Sequence, residues 1–226
     1  RLNSTISITT LAQGQTLAFE DYSSNTSLVG AGSLLLEIGD WSSGSFVASP
    51  TISSKSLSIA ATDTLDSLKD KINALNYGVS ASVLGAGDDT FTLVLKSENG
   101  KKNALRITAT ETPTGSGLSK IDNSTTNVSK QKVAATDASF NVDGIALTRS
   151  SNAITDLFKG YTVNLHSSTT VNGVNTPANL TGSVDVSSAS ENLQSFINAV
   201  NESRTLLNDK TFKGSVTKTA GDLSDD

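Results

Sequence analysis

The sequence predicts an α+β protein that is mainly β, on three observations. Short runs alternating apolar and polar residues recur along most of its length. Ser and Thr exceed a quarter of the 226 residues, and two stretches show a clear helical period instead. Apolar residues make up 36% and aromatic residues 5%, so the cores should be small and aliphatic. The regular alternation separates this chain from a disordered polar segment of similar composition. Its length suits one large domain or two modest ones.

Ser4 to Leu11 alternates as a half-buried strand does. After a polar stretch, Gly32–Gly39 reads as a strand bounded by glycines, and Ser56–Ala60 alternates again. Leu65, Leu68, Ile72 and Leu75 then fall on one face of a helix, with Asp63 or Thr64 as cap and Asp66 complementing the dipole. Tyr77-Gly78 ends it. Val79, Ala81 and Val83, a turn at 85–89, and Phe91, Leu93 and Leu95 form a hairpin. A second turn, Glu98-Asn99-Gly100, leads to a strand at Leu105–Ala109. Together these make an α+β unit of about 90 residues.

Residues 110–136 are rich in Thr, Ser, Asn and Gly and read as a connector with at most one edge strand. Ser139–Thr148 is strand, tight turn, strand. Ser151–Phe158 is expected to form one or two helical turns with Asn152 as cap. Tyr161–Leu165 and Gly182–Val186 are strands. Ser188–Glu191 has the pattern of a capping box, opening a helix whose face carries Leu193, Phe196, Ile197, Val200 and Leu207. Burying five such side chains would contribute ~1.5–3 kcal/mol each, so the face is expected to pack on a partner, one outside this chain.

The formal charge of −5, without a basic run, gives no footprint for nucleic acid or an anionic membrane. No apolar stretch approaches the ~18 residues of a membrane span. The chain begins at Arg1 and has no Met, so it reads as a fragment. Zero cysteine excludes disulfides and thiolate metal sites.

Nor does a catalytic constellation stand out. The single histidine, His166, adjoins Ser167 and Ser168 on a strand end, which does not build a triad. Ser139, Asn141, Asp143 and Gly144 echo a calcium loop, but Ser150 stands where a bidentate Glu is needed, so an Asp-Gly hairpin is expected. Asp88-Asp89 reads as a solvated turn. Gly30-Ala31-Gly32 and Gly85-Ala86-Gly87 lack the following helix of a phosphate loop. Six Asn-x-Ser/Thr triplets are what this composition produces by chance. Trp41 is read as a local core anchor, with a glycan-stacking platform as the alternative. The chain is therefore expected not to be an enzyme, and no catalytic, cofactor or metal residues are assigned.

Three stretches together resemble the flagellar filament-cap family, FliD or hook-associated protein 2. The first includes Leu11–Gln15, Gly32–Trp41, Thr64–Asn73 and Gly78–Val83. The second includes Asp137–Gly144, Thr148–Asn152 and Gly160–Leu165. The third is Phe196–Asn201 followed by Gly221-Asp222-Leu223. Lys159 stands where the family more often has Pro before the glycine. The resemblance implies two β-rich domains, one inserted into the other. Residues 1–17 plus 130–183 form a split domain, residues 18–129 the inserted one with a helix at about 64–75, and residues 184–226 begin a helical leg.

It further implies an extracellular, exported protein at the flagellum tip. There it acts as a self-associating ring that promotes folding and insertion of flagellin and prevents its loss. Its partners would be itself, flagellin, hook-associated proteins and, for some members, host mucus glycans. An adhesin module that binds host surfaces and another axial hook-associated protein are the competing readings.

Overall fold

A computed structural model describes residues 2–125, 129–171, 174–182, 187–212 and 214. The elements run β1 (Leu2–Thr10), β2 (Gly14–Tyr22), β3 (Gly32–Asp40), β4 (Val47–Ala48), β5 (Lys55–Ile59), α1 (Leu65–Ala74), β6 (Val79–Gly87), β7 (Thr90–Asn99) and β8 (Ala104–Glu111). They continue with β9 (Gln131–Val133), β10 (Ala138–Val142), β11 (Ile145–Arg149), β12 (Ala153–Phe158), β13 (Tyr161–Asn164), β14 (Thr170–Val171), β15 (Val174–Asn175), β16 (Ala178–Gly182) and α2 (Ser187–Thr211). Residues 4–180 form one compact unit; the other takes in residues 1–3 and 181–226, with α2.

The larger unit holds two hydrophobic cores. Two sheets and α1 share the first. One sheet has the order β6-β7-β2-β9, and in the other β3 is flanked by β8 on one side and by β4 and β5 on the other. Alternation does the sorting: Leu34, Leu36 and Ile38 of β3 are buried while Leu35 faces outward. Leu17 and Phe19 of β2, Leu93 and Leu95 of β7, and Leu105 and Ile107 of β8 join them.

Helix α1 adds Leu65, Leu68 and Ile72 to that core, the stripe its period predicts. Thr64 caps it: its hydroxyl accepts from the Ser67 N–H at 3.2 Å, and Ser67 Oγ accepts from the Thr64 N–H at 2.8 Å. Asp63 lies beneath the cap, accepting from the Ala60 N–H, Ser67 Oγ and Lys71 Nζ. Burial raises its pKa, but hydrogen bonds from Lys71, Ala60 and Ser67 outweigh that and hold the carboxyl below its ordinary value.

The second core gathers Ile6 and Ile8 of β1, Phe140 and Val142 of β10, and Ile154, Val163 and Leu165. β1 runs antiparallel to β10 with Ile6 opposite Val142 and Ile8 opposite Phe140, in a sheet of order β11-β10-β1-β16.

Three sequence expectations are corrected. Residues 153–158 are a strand, not helical turns, and Asn152 caps nothing. A segment this short gains little from helix nucleation, whereas pairing with β13 through Gly160 (φ +83°) satisfies its backbone. The polar stretch after Leu11 is β2, hydrogen-bonded on both edges. The connector at 110–136 contributes β9 as an edge strand, but it also makes a 3-10 turn at Leu118–Ile121 that buries Leu118 and Ile121. Residues 183–186 of the expected last strand, the side chains of Ser188 and Ser190 in the capping box, and Gly221-Asp222-Leu223 lie outside the described residues.

Candidate functional site

Most residues singled out for chemistry in the sequence have structural roles, His166 excepted. Ser168 Oγ donates to the Ile8 carbonyl at 2.9 Å, while His166 is exposed. Asp143 and Gly144, at φ 49° and 90°, are the two central residues of the β10–β11 hairpin, where φ > 0 is required. The Asp143 carboxylate accepts the Thr5 N–H at 2.8 Å, and that bond, helped by Ser4, holds its pKa low. Asp88 and Asp89, at φ 48° and 54°, turn β6 into β7. Trp41 donates Nε1–H to the Leu105 carbonyl at 3.2 Å and leans on Phe46, which lies under the Arg106 guanidinium. It anchors the loop after β3. Among the described residues no group of three or more His, Cys, Asp or Glu is placed to hold a metal.

Two further features stand out, an exposed apolar helix face and a joint between cores. On α2 the sequence-predicted face is exposed, from 42% at Ile197 to 66% at Phe196, with Leu193, Val200 and Leu207 between. Arg204 continues the same stripe between Val200 and Leu207. Sequence reasoning missed it; its i+4 spacing from Val200 was the available signal. Leu206 is also exposed, but its i+6 spacing from Val200 sets it off the stripe.

The joint lies inside the larger unit, where the chain crosses between the two cores twice, at residues 11–13 and 134–137. The crossings pair through Gln13 and Thr136, each N–H meeting the other's carbonyl at 2.9 and 3.0 Å. The Gln13 carbonyl also accepts the Gly100 N–H at 3.2 Å. Asn152 grips the buried Ala12 with both ends of its amide, accepting the Ala12 N–H at 2.8 Å and donating to its carbonyl at 2.9 Å. Asp137 Oδ1 accepts the Lys101 N–H at 2.9 Å. A Cβ on Gly100, which sits at φ 107°, would lie 2.7 Å from Ser150 Cβ. Just beyond, the buried Gln15 spends its N–H on Ser97 Oγ and its Oε1 on the Leu105 N–H. Leu11–Gln15 and Thr148–Asn152, widely separated motif stretches, therefore meet here.

A family model described as the C-terminus of flagellar hook-associated protein 2 matches residues 135–226. Flagellar hook-associated protein 2 of Salmonella typhimurium is 30% identical over 139 residues, which cover 61% of this chain and 28% of that protein. Its namesake from Escherichia coli K12 is 31% identical over 99 residues, 43% of this chain and 21% of that one. The chain thus spans less than a third of the length of these relatives. The crystal structure of the D1-D2-D3 domains of the E. coli flagellar cap protein FliD superposes with a TM-score of 0.74 at 25% identity, covering 92% of this chain and 67% of that one. FliD (HAP2) from Pseudomonas aeruginosa shares the fold, with a TM-score of 0.67 at 20% identity over 95% and 94% of the two chains. Family model, sequence relatives and fold point the same way: the chain is similar to the flagellar hook-associated protein 2 (FliD) family, whose C-terminal model it matches over residues 135–226.

Proposed function

We propose that this chain is the β-rich part of a filament cap at the distal tip of the flagellum, with the start of its helical leg. In this reading the longer protein forms a ring that lets exported flagellin fold and insert beneath it and keeps subunits from escaping. The work is steric and conformational, and no bond is made or broken. Its partners are further copies of itself, flagellin and the hook-associated proteins. The observation that carries this reading is the superposition on the E. coli cap-protein domains over 92% of the chain.

The two cores support dividing the larger unit into a split domain and an inserted one. Leu17 packs in the first core and β9 pairs with β2, which favours boundaries near residues 11–13 and 134–137 over those at 17 and 130 that the resemblance implies. The exposed face Leu193, Phe196, Ile197, Val200 and Leu207 then packs on another helix of the longer protein, since contiguous exposed apolar surface marks an interaction site. Deleting the gene is expected to abolish motility and shed flagellin into the medium, and antibody should label filament tips alone. Normal filaments in the deletion strain, or label at the hook end, would overturn the reading.

A further inference from the structure

We propose that the joint between the two cores is a rigid coupling, latched by the side chains of Asn152 and Asp137, so that the cores move as one body. The inference stands on the joint's geometry and does not need the cap reading.

Two strands of chain joining two cores would by themselves be a hinge, because a two-stranded ribbon without a packed face is marginally stable and bends easily. Here each crossing is braced from outside the ribbon. The loop Ser150–Asn152 reaches it from the second core, through the two-ended amide grip on Ala12. The corner Asn99–Lys101 reaches it from the first core: the Gly100 N–H bonds Gln13 and the Lys101 N–H bonds Asp137. The two braces also touch, since Gly100 leaves no room for a Cβ against Ser150. Ala12 is 3% exposed, so water cannot replace the Asn152 amide without the joint opening. Swinging one core against the other would break hydrogen bonds on both sides at once. Such an element has discrete closed and open states in place of a continuous range.

Absence of cysteine makes the test direct. Leu84, on the first core, and Ile145, on the second, are 54% and 65% exposed, so the pair Leu84→Cys and Ile145→Cys places two spin labels on the full chain. The parent pair should give one narrow distance distribution. Asn152→Ala should broaden it at least twofold and speed amide exchange at Ala12, Gly100 and Lys101 at least tenfold, with amides of Phe19 and Phe140 unchanged. A distribution already broad in the parent, or an unchanged width in Asn152→Ala with unchanged exchange, overturns the proposal. If Asn152→Ala speeds exchange throughout both cores, the Asp137 pair decides. Asp137→Ala should broaden the distribution, whereas Asp137→Asn keeps an acceptor for the Lys101 N–H and should restore it; equal widths in the two variants overturn the latch.

Discussion

Helices α1 and α2 carry the same kind of apolar stripe and meet opposite surroundings. Leu65, Leu68 and Ile72 of α1 are at most 1% exposed, while the α2 stripe is exposed by 42–66%. Periodicity accounts for what the two share, because it fixes which side chains lie on one face. It does not fix what covers that face. For α1 the cover comes from strands close in sequence, β5 before it and β6 after it, with β2, β3, β7 and β8 closing the core. Among the described side chains of α2, a helix of 25 residues, none belongs to either core cluster. Exposed apolar stripes of this size are a mark of interaction surfaces, and that is how the cap reading uses this one.

The contrast breaks first at the centre of α1. Leu68→Ala should destabilise the chain by ~2–5 kcal/mol, because the transfer loss is compounded by a cavity in a closed core. Urea denaturation measures it, and a loss below ~1 kcal/mol would remove α1 from the structural core. Next comes the support beneath the cap. Asp63→Ala strands the Ala60 N–H, Ser67 Oγ and Lys71 Nζ, at a cost of ~1–3 kcal/mol. Asp63 is more acidic folded than unfolded, so its contribution is complete above its unfolded pKa of about 4 and is lost as the pH falls through the folded value. The penalty of Asp63→Ala should therefore shrink as the pH is lowered through that range; a penalty independent of pH there would contradict the assigned ion pair. Smaller still is the cap itself. Thr64→Ala should cost ~0.5–2 kcal/mol, with Thr64→Ser retaining most of the stability. Thermal melts of the three proteins give the ranking, and equal losses for Ala and Ser would dissolve the cap's role.

How far the sequence could be read follows from which forces are local. α1, its cap, the β6–β7 hairpin and the Asp143-Gly144 turn are legible because period, capping pattern and φ > 0 residues act over a few positions. β2 was hidden: the polar Gln15 stands in phase with Leu17 and Phe19 and the apolar Ala18 out of phase, and its burial comes from strands as distant as β7 and β9. The connector was hidden for another reason. Glu111 folds it through its own side chain, accepting N–H groups of Gly115, Gly117 and Ser119 at 2.7 to 3.0 Å. The bonds from Ser119 and Gly115 bring its pKa down to about 2. No composition rule announces such a carboxylate. The α2 face was legible by residue, and the joint was not. Asn152 looked like a helix cap because Asn caps helices, yet its amide is used on Ala12, 140 positions away.

The gentlest change is the one that sharpens the comparison most. Phe196→Ala in α2 should shift the stability of this 226-residue chain by less than ~0.5 kcal/mol, since a side chain 66% exposed loses little on truncation. In the longer protein the same substitution should cost ~3–5 kcal/mol if a partner helix covers the face, the loss typical of a buried Phe. Denaturation of both lengths with and without the substitution isolates the covering element, because every other residue is held constant. A small loss in both would leave the stripe uncovered within one polypeptide and move its partner to a neighbouring subunit, where the loss would depend on protein concentration. A large loss already in the short chain would mean that α2 is covered within these 226 residues, and the opposition between the two helices would fall.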